Sequence, residues 1–270
     1  MSILEGKITK VMNNADPRSA KMYKNTVAMI GVKGFSMIIS LISAPIMLHH
    51  VDRADYGVLL TLTSIVSWIG LMDIGLGNGL RNRLPEYLAH NDIHSAKIIV
   101  SSCYATLAIY VGVLIFLFLL FSPFVNWLNV LNSPTSDARE IRDLANIVFV
   151  AFGLQFLLGL INSILFAYQI PAFQSVFTFM GQLLSLFALV LQVYVFDVTS
   201  VFQIGAINCL MTPLVLCVGS IWLFRTKLKD IAPTLEYVKF NSVGSILSLG
   251  LKFFVLQMIT IVLFQANSII

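Results

Sequence analysis

The chain has 270 residues, 58% hydrophobic and only 11% charged, whereas a soluble globular domain carries about a quarter charged residues. That balance excludes an ordinary water-soluble fold, and the apolar residues fall in blocks of roughly 20, the length that crosses a hydrocarbon layer. The formal charge of +4 forms no basic face or stripe, so no nucleic-acid partner is expected, and Lys and Arg are better read loop by loop.

Residues 1–25 are polar and basic, without the apolar core of a cleaved signal peptide. Ile3, Leu4, Ile8, Val11 and Met12 recur at helical spacing beside Lys7 and Lys10, which fits either a short amphipathic helix on an anionic leaflet or a frayed tail. The first spanning run covers 26–48, with Pro45 near its far end, and His49 to Asp55 make a polar turn. The second run, 56–76, leads into Asp73-Ile74-Gly75-Leu76-Gly77-Asn78-Gly79-Leu80-Arg81-Asn82-Arg83. A polar stretch to Lys97 follows, in which Pro85 is expected to start a helical turn. The third run is 98–121, and the longest loop, 122–143, carries Asp137 and Glu140 at capping-box spacing. The fourth run, 144–168, and the fifth, 173–195, are separated only by Gln169-Ile170-Pro171-Ala172, so they should form an antiparallel hairpin. A sixth run covers 201–224, residues 225–243 are basic and polar, and a seventh run begins near Gly244.

Charge sets the orientation. With the N-terminus inside, the inner segments hold Lys7, Lys10, Arg18, Lys21, Lys24, Arg81, Arg83, Lys97, Arg225, Lys227, Lys229 and Lys239, and the outer ones only Arg53, Arg139 and Arg142. The positive-inside rule therefore places the N-terminus in the cytoplasm. The expected fold is all-α: a polytopic membrane helix bundle with six complete spans plus a seventh, its N-terminus inside. It divides into a cytoplasmic amphipathic and basic tail (1–25), a six-helix transmembrane bundle (26–224), a cytoplasmic basic loop (225–243) and the first helix of a second, truncated bundle (244–270). A weak internal repeat supports the second bundle. Gly31-Val32-Lys33-Gly34-Phe35 resembles Gly250-Leu251-Lys252-Phe253-Phe254, offset by 219 residues (252 against 33), and duplicated halves with a substrate site between them are common in transporters.

Two lysines lie inside spans. A charge at mid-membrane costs on the order of 3 kcal/mol even on the milder scales, so Lys33 and Lys252 either face a cavity and attract an anionic group such as a diphosphate, or snorkel to the headgroups. Asp73 is the only one of the 13 acids within a span. It is a candidate for coupling transport to a proton or cation, or else an interfacial residue bonded to the glycine turn. Gly75, Gly77 and Gly79 alternate, which suits a tight or unwound helix end rather than helix packing or a dinucleotide fingerprint. Arg81 and Arg83 fit diphosphate contact and topology anchoring equally. Gln155, Asn162, Gln182, Gln192, Gln203, Asn208 and Gln257 are polar groups within spans, suited to interhelical bonds or to a polar cavity. Cys103, Cys209 and Cys217 lack metal-ligand spacing, and His90 with His94 lacks a third ligand of the right kind. No nucleophile–base pair or carboxylate pair is visible, so neither catalysis nor a metal or other cofactor is expected.

The run Asp73 to Asn82, together with Phe152-Gly153-Leu154-Gln155-Phe156 and Ala167-Tyr168-Gln169-Ile170-Pro171-Ala172, resembles the polysaccharide exporters of the multidrug/oligosaccharidyl-lipid/polysaccharide (MOP) flippase superfamily, particularly the O-antigen flippase (Wzx) type. Members usually carry roughly twice as many spans, so the resemblance implies that this chain is the first half of a two-bundle transporter. It further implies a bacterial inner-membrane protein that flips an undecaprenyl-diphosphate-linked oligosaccharide by alternating access, for O-antigen or capsule assembly. Membrane lipids and other polysaccharide assembly proteins are its implied partners. The diphosphate sugar would then meet Lys33 and Lys252, and less directly Arg81 and Arg83. Three other readings stand beside it. A drug or cation antiporter of the same superfamily should carry acids deep in its spans, a membrane enzyme of glycan assembly should show reactive clusters in large outer loops, and an inactive fragment would merely insert.

Overall fold

The computed structural model describes residues 17–70, 75–131, 137–198 and 200–244, and residues 248, 250–252, 255–256 and 259 beyond them. The amphipathic segment 3–12, Asp73 and Gln257 lie outside the described residues. All regular structure among those described is helical: α1 Pro17–His50, α2 Arg53–Gly70, α3 Leu76–Ala89, α4 Ile93–Phe121, α5 Trp127–Leu131, α6 Ala138–Leu158, α7 Leu160–Ala167, α8 Ala172–Tyr194 and α9 Val201–Arg225. The described residues of the seventh predicted run are also helical.

Five segments are long and apolar enough to cross a membrane, Thr26–His50, Ile93–Phe124, Ala138–Ala167, Ala172–Tyr194 and Val201–Arg225. They match the first, third, fourth, fifth and sixth predicted runs. The second is seen as helix only over Arg53–Gly70. In such spans every backbone amide must bond within the segment, which is why apolar runs of this length become helices and not loops.

Capping residues explain several shifted ends. Asp92 accepts the Ser95 N–H at 3.0 Å and starts α4 five residues before the apolar run. Two hydrogen bonds from Ser95, through its side chain and its backbone, hold the Asp92 carboxyl below its usual pKa. Asp137 accepts the Arg139 N–H at 2.9 Å and starts α6 inside the predicted loop. One expectation is corrected: Pro85 lies within α3 rather than at its start. In the fourth run the single residue Gly159 separates α6 from α7 within one apolar segment, Ala138–Ala167.

The helices pack as an antiparallel bundle, α8 lying between α1 and α9, and α6 between α4 and α9. Gly181 lets α8 approach α9 so closely that a Cβ there would stand 3.0 Å from Thr212 Oγ1 and 3.1 Å from its Cα. Two apolar cores result. One gathers Leu80, Leu84, Val100, Ile164 and Leu223 at the end carrying the basic segments. The other gathers Val58, Leu62, Leu144, Val148 and Ile204 at the opposite end. Around them the lipid-facing sides stay apolar, with Phe35, Met37, Leu41 and Phe116 all exposed.

Candidate functional site

Between the two cores lies a partly open cavity of about 370 Å³, within the usual range of small-molecule sites. Its polar lining comes from Gln155, Asn162, Ser163, Gln174, Thr178 and Thr212, and its apolar lining includes Phe152 and Phe156. None of the described residues that line it is charged. Helical spacing explains the placement. Gly159, Asn162 and Ser163 follow Gln155 by four, seven and eight residues, so one face of the Ala138–Ala167 segment forms a wall, with Gln174 and Thr178 of α8 and Thr212 of α9 also at the cavity.

Asn162 is the cavity-lining residue with an unmet polar group. Its Oδ1 is buried and has no hydrogen-bond partner among the described residues, and an unpaired buried carbonyl costs about 1–3 kcal/mol unless something bonds to it. By contrast, Gln192 and Asn208 join α8 to α9: Gln192 Nε2 donates to Gln203 O at 3.0 Å, and Asn208 Nδ2 donates to Gln192 Oε1 at 3.3 Å. Gln192 and Asn208 thus serve helix packing, whereas Gln155, Asn162 and Gln174 line the cavity.

The charged candidates sit elsewhere. Lys33 and Lys252 are both exposed, on α1 and on the helical residues of the seventh run. Arg81 is exposed on α3, its guanidinium carbon 3.8 Å from the centre of the Phe166 ring. Arg83 Nη1 pairs with Glu86 Oε2 at 2.9 Å on the surface. None of the four lines the cavity. Of the glycine run, Gly77 lines the cavity, whereas Gly75 starts α3 in the left-handed region at φ 79°. The Gly75 backbone lies directly against that of Gly250, leaving no room for a side chain on either. Ser163, Gln174, Thr178 and Thr212 escaped the sequence reading, because single hydroxyls and helix-end amides look unremarkable in apolar runs.

The basic segment 225–243 is docked, not loose. Thr234 N–H donates to Ser101 Oγ at 3.1 Å, and Lys239 N–H donates to Ser102 Oγ at 2.8 Å. Its own Leu228 and Ile231 are fully buried. Lys97 Nζ stands 4.5 Å from the centre of the Tyr237 ring, and His94 also packs against that ring.

No protein-family model matches the chain, and no curated protein matches it. A solved structure does: a MOP superfamily transporter from Pyrococcus furiosus, described as having a binding pocket of reverse polarity that suggests a different function. The match has a TM-score of 0.66 at 15% identity, and it covers 96% of this chain and 57% of that one. In fold, then, this chain is similar to that transporter, with five segments long and apolar enough to cross a membrane, and it spans little more than half of that protein's length.

Proposed function

We propose that the chain belongs to a flippase that moves a polyprenyl-diphosphate-linked oligosaccharide across a bacterial inner membrane, and that the neutral cavity receives the sugar. The observation that carries this reading is the lining: amides and hydroxyls around an unpaired Asn162 oxygen, flanked by Phe152 and Phe156. Sugars present hydroxyls that both donate and accept, and Gln, Asn, Ser and Thr answer both roles without net charge. A cation antiporter would instead favour a carboxylate at such a cavity, since burying a lone cation beside neutral groups is costly. The diphosphate stays at headgroup level in this reading, where Lys33, Lys252, Arg81 and Arg83 offer cations outside the cavity. Chemistry at the sugar is not required, because transport needs only a site that opens alternately to each side.

Equilibrium binding in detergent tests the reading with three probes: a fluorescent polyprenyl-diphosphate disaccharide, the same lipid without sugar, and a lipophilic organic cation. The sugar-bearing lipid should bind most tightly. Asn162→Leu removes one to two neutral hydrogen bonds of about 1 kcal/mol each, so its affinity should fall roughly five- to thirtyfold, at tenfold per 1.4 kcal/mol. Equal binding of the sugar-free lipid, or preference for the cation, would sink the proposal.

A further inference from the structure

Where the docked segment 225–243 crosses α4 it leaves a groove of about 250 Å³, walled by Tyr104, Ala105, Ala108, Leu157, Pro233 and Leu235. The groove is almost wholly apolar, and the two alanines on α4 keep it open along the helix. Beside it the docked segment displays Leu235, 89% exposed, and Phe240, 56% exposed. Large apolar side chains at the end of a membrane bundle belong at the boundary between headgroups and acyl chains. The same segment is net cationic: Arg225, Lys227, Lys229 and Lys239 stand against Asp230 and Glu236. Two lysines neighbour lining residues of the groove: Lys97, over the Tyr237 ring, one turn before Ser101 on α4, and Lys239, whose backbone is bonded to Ser102, next to Val238.

The geometry points to a phospholipid site. Segment 225–243 lies in the headgroup layer as an interfacial strap, with Leu235 and Phe240 in the acyl boundary. One acyl chain of an anionic glycerophospholipid lies in the groove against Ala105 and Ala108, and its phosphate meets Lys97 and Lys239. Each part has its own cause. The groove excludes water and takes a chain of methylenes, while the paired lysines favour a net negative headgroup over a zwitterionic one. The site is separate from the cavity and does not depend on what the cavity carries.

Native mass spectrometry of the full chain, purified in detergent and given equimolar phosphatidylglycerol and phosphatidylcholine, reads this directly. Wild type should retain phosphatidylglycerol at least fivefold over phosphatidylcholine. The surface variant Lys97→Gln/Lys239→Gln should lose that preference, and Ala108→Phe, which fills the groove, should retain neither lipid while eluting as wild type on size exclusion. Equal retention of both lipids by wild type overturns the site, as does unchanged retention of phosphatidylglycerol by the lysine double variant. A third arm adds decaprenyl phosphate at equal concentration. Displacement of phosphatidylglycerol by it would assign the groove to a polyprenyl lipid and refute the glycerophospholipid assignment.

Discussion

Replacing Gly75 by alanine should destabilise the protein through two separable effects. Gly75 holds φ 79° at the start of α3, a left-handed conformation that costs an L side chain roughly 1–2 kcal/mol. Its added Cβ would also overlap the Gly250 backbone, with the Gly250 Cα only 2.5 Å away. Backbone cannot rotate aside as a side chain can, so the seventh helix must shift, and its packing on the bundle is lost. Gly250→Ala isolates the second effect. Its Cβ would stand 2.5 Å from the Gly75 carbonyl carbon and 2.9 Å from its Cα, yet Gly250 is helical, where alanine is favoured over glycine by about 1 kcal/mol. Gly31, its counterpart in the weak repeat, has nothing within 4 Å of an added Cβ, so Gly31→Ala serves as the control. Thermal unfolding in detergent should rank Gly31→Ala at or above wild type, Gly250→Ala below it and Gly75→Ala lowest. At roughly 2–4 °C per kcal/mol for a chain of this size, the conformational part of Gly75→Ala alone amounts to roughly 2–8 °C. A Gly75→Ala midpoint equal to wild type would refute both the strained turn and the backbone contact.

Other outcomes follow from the same geometry. Ser101→Ala/Ser102→Ala leaves the Thr234 and Lys239 N–H groups without their acceptors, a loss of about 1 kcal/mol each, and should speed tryptic cleavage after Lys229 or Lys239 severalfold; unchanged cleavage would mean the segment is held by Leu228 and Ile231 alone. Gly181→Leu should force α8 from α9 and cost about 1–3 kcal/mol in overpacking, seen as a lower unfolding midpoint, and a wild-type midpoint would contradict the close approach. Asp92 has a lowered pKa, so its cap contributes fully above the unfolded value near 3.9 and is lost as pH falls through the lower folded value. The midpoint difference between wild type and Asp92→Ala should therefore shrink on acidification below about pH 4, and a difference that stays constant would contradict the cap.

The spans were legible because period and length alone decide them: the sixth run, expected at 201–224, is α9 at Val201–Arg225. Ends moved where a polar cap recruited extra turns, as Asp92 did for α4 and Asp137 for α6. The cavity was harder to read. Charges in apolar sequence draw attention, yet Lys33, Lys252, Arg81 and Arg83 all lie outside the cavity, while neutral Gln155 and Asn162 line it together with unremarked hydroxyls. Helical spacing puts Gln155, Asn162 and Ser163 on one face of the fourth span, but the approach of α8 and α9 that completes the cavity with Gln174, Thr178 and Thr212 is a tertiary event. The glycine run at 75–79 was read as a helix terminus, and Gly75 does stand at the boundary where α3 begins, but its backbone contact with Gly250, far away in the sequence, was not legible. Docking of 225–243 was equally hidden, since Ser101 and Ser102 sit within an apolar stretch and their partners are 133 and 137 residues distant.

Occupation of the cavity by sugar is tested most directly by protection of a cysteine placed in it. In a background where Cys103, Cys209 and Cys217 are replaced by alanine, Ser163→Cys in proteoliposomes should react with a small methanethiosulfonate through the open side of the cavity. Polyprenyl-diphosphate disaccharide should slow that labelling at least fivefold, while the sugar-free lipid leaves it unchanged. Equal labelling with and without the sugar-bearing lipid, or equal protection by both lipids, would contradict a sugar site in the cavity.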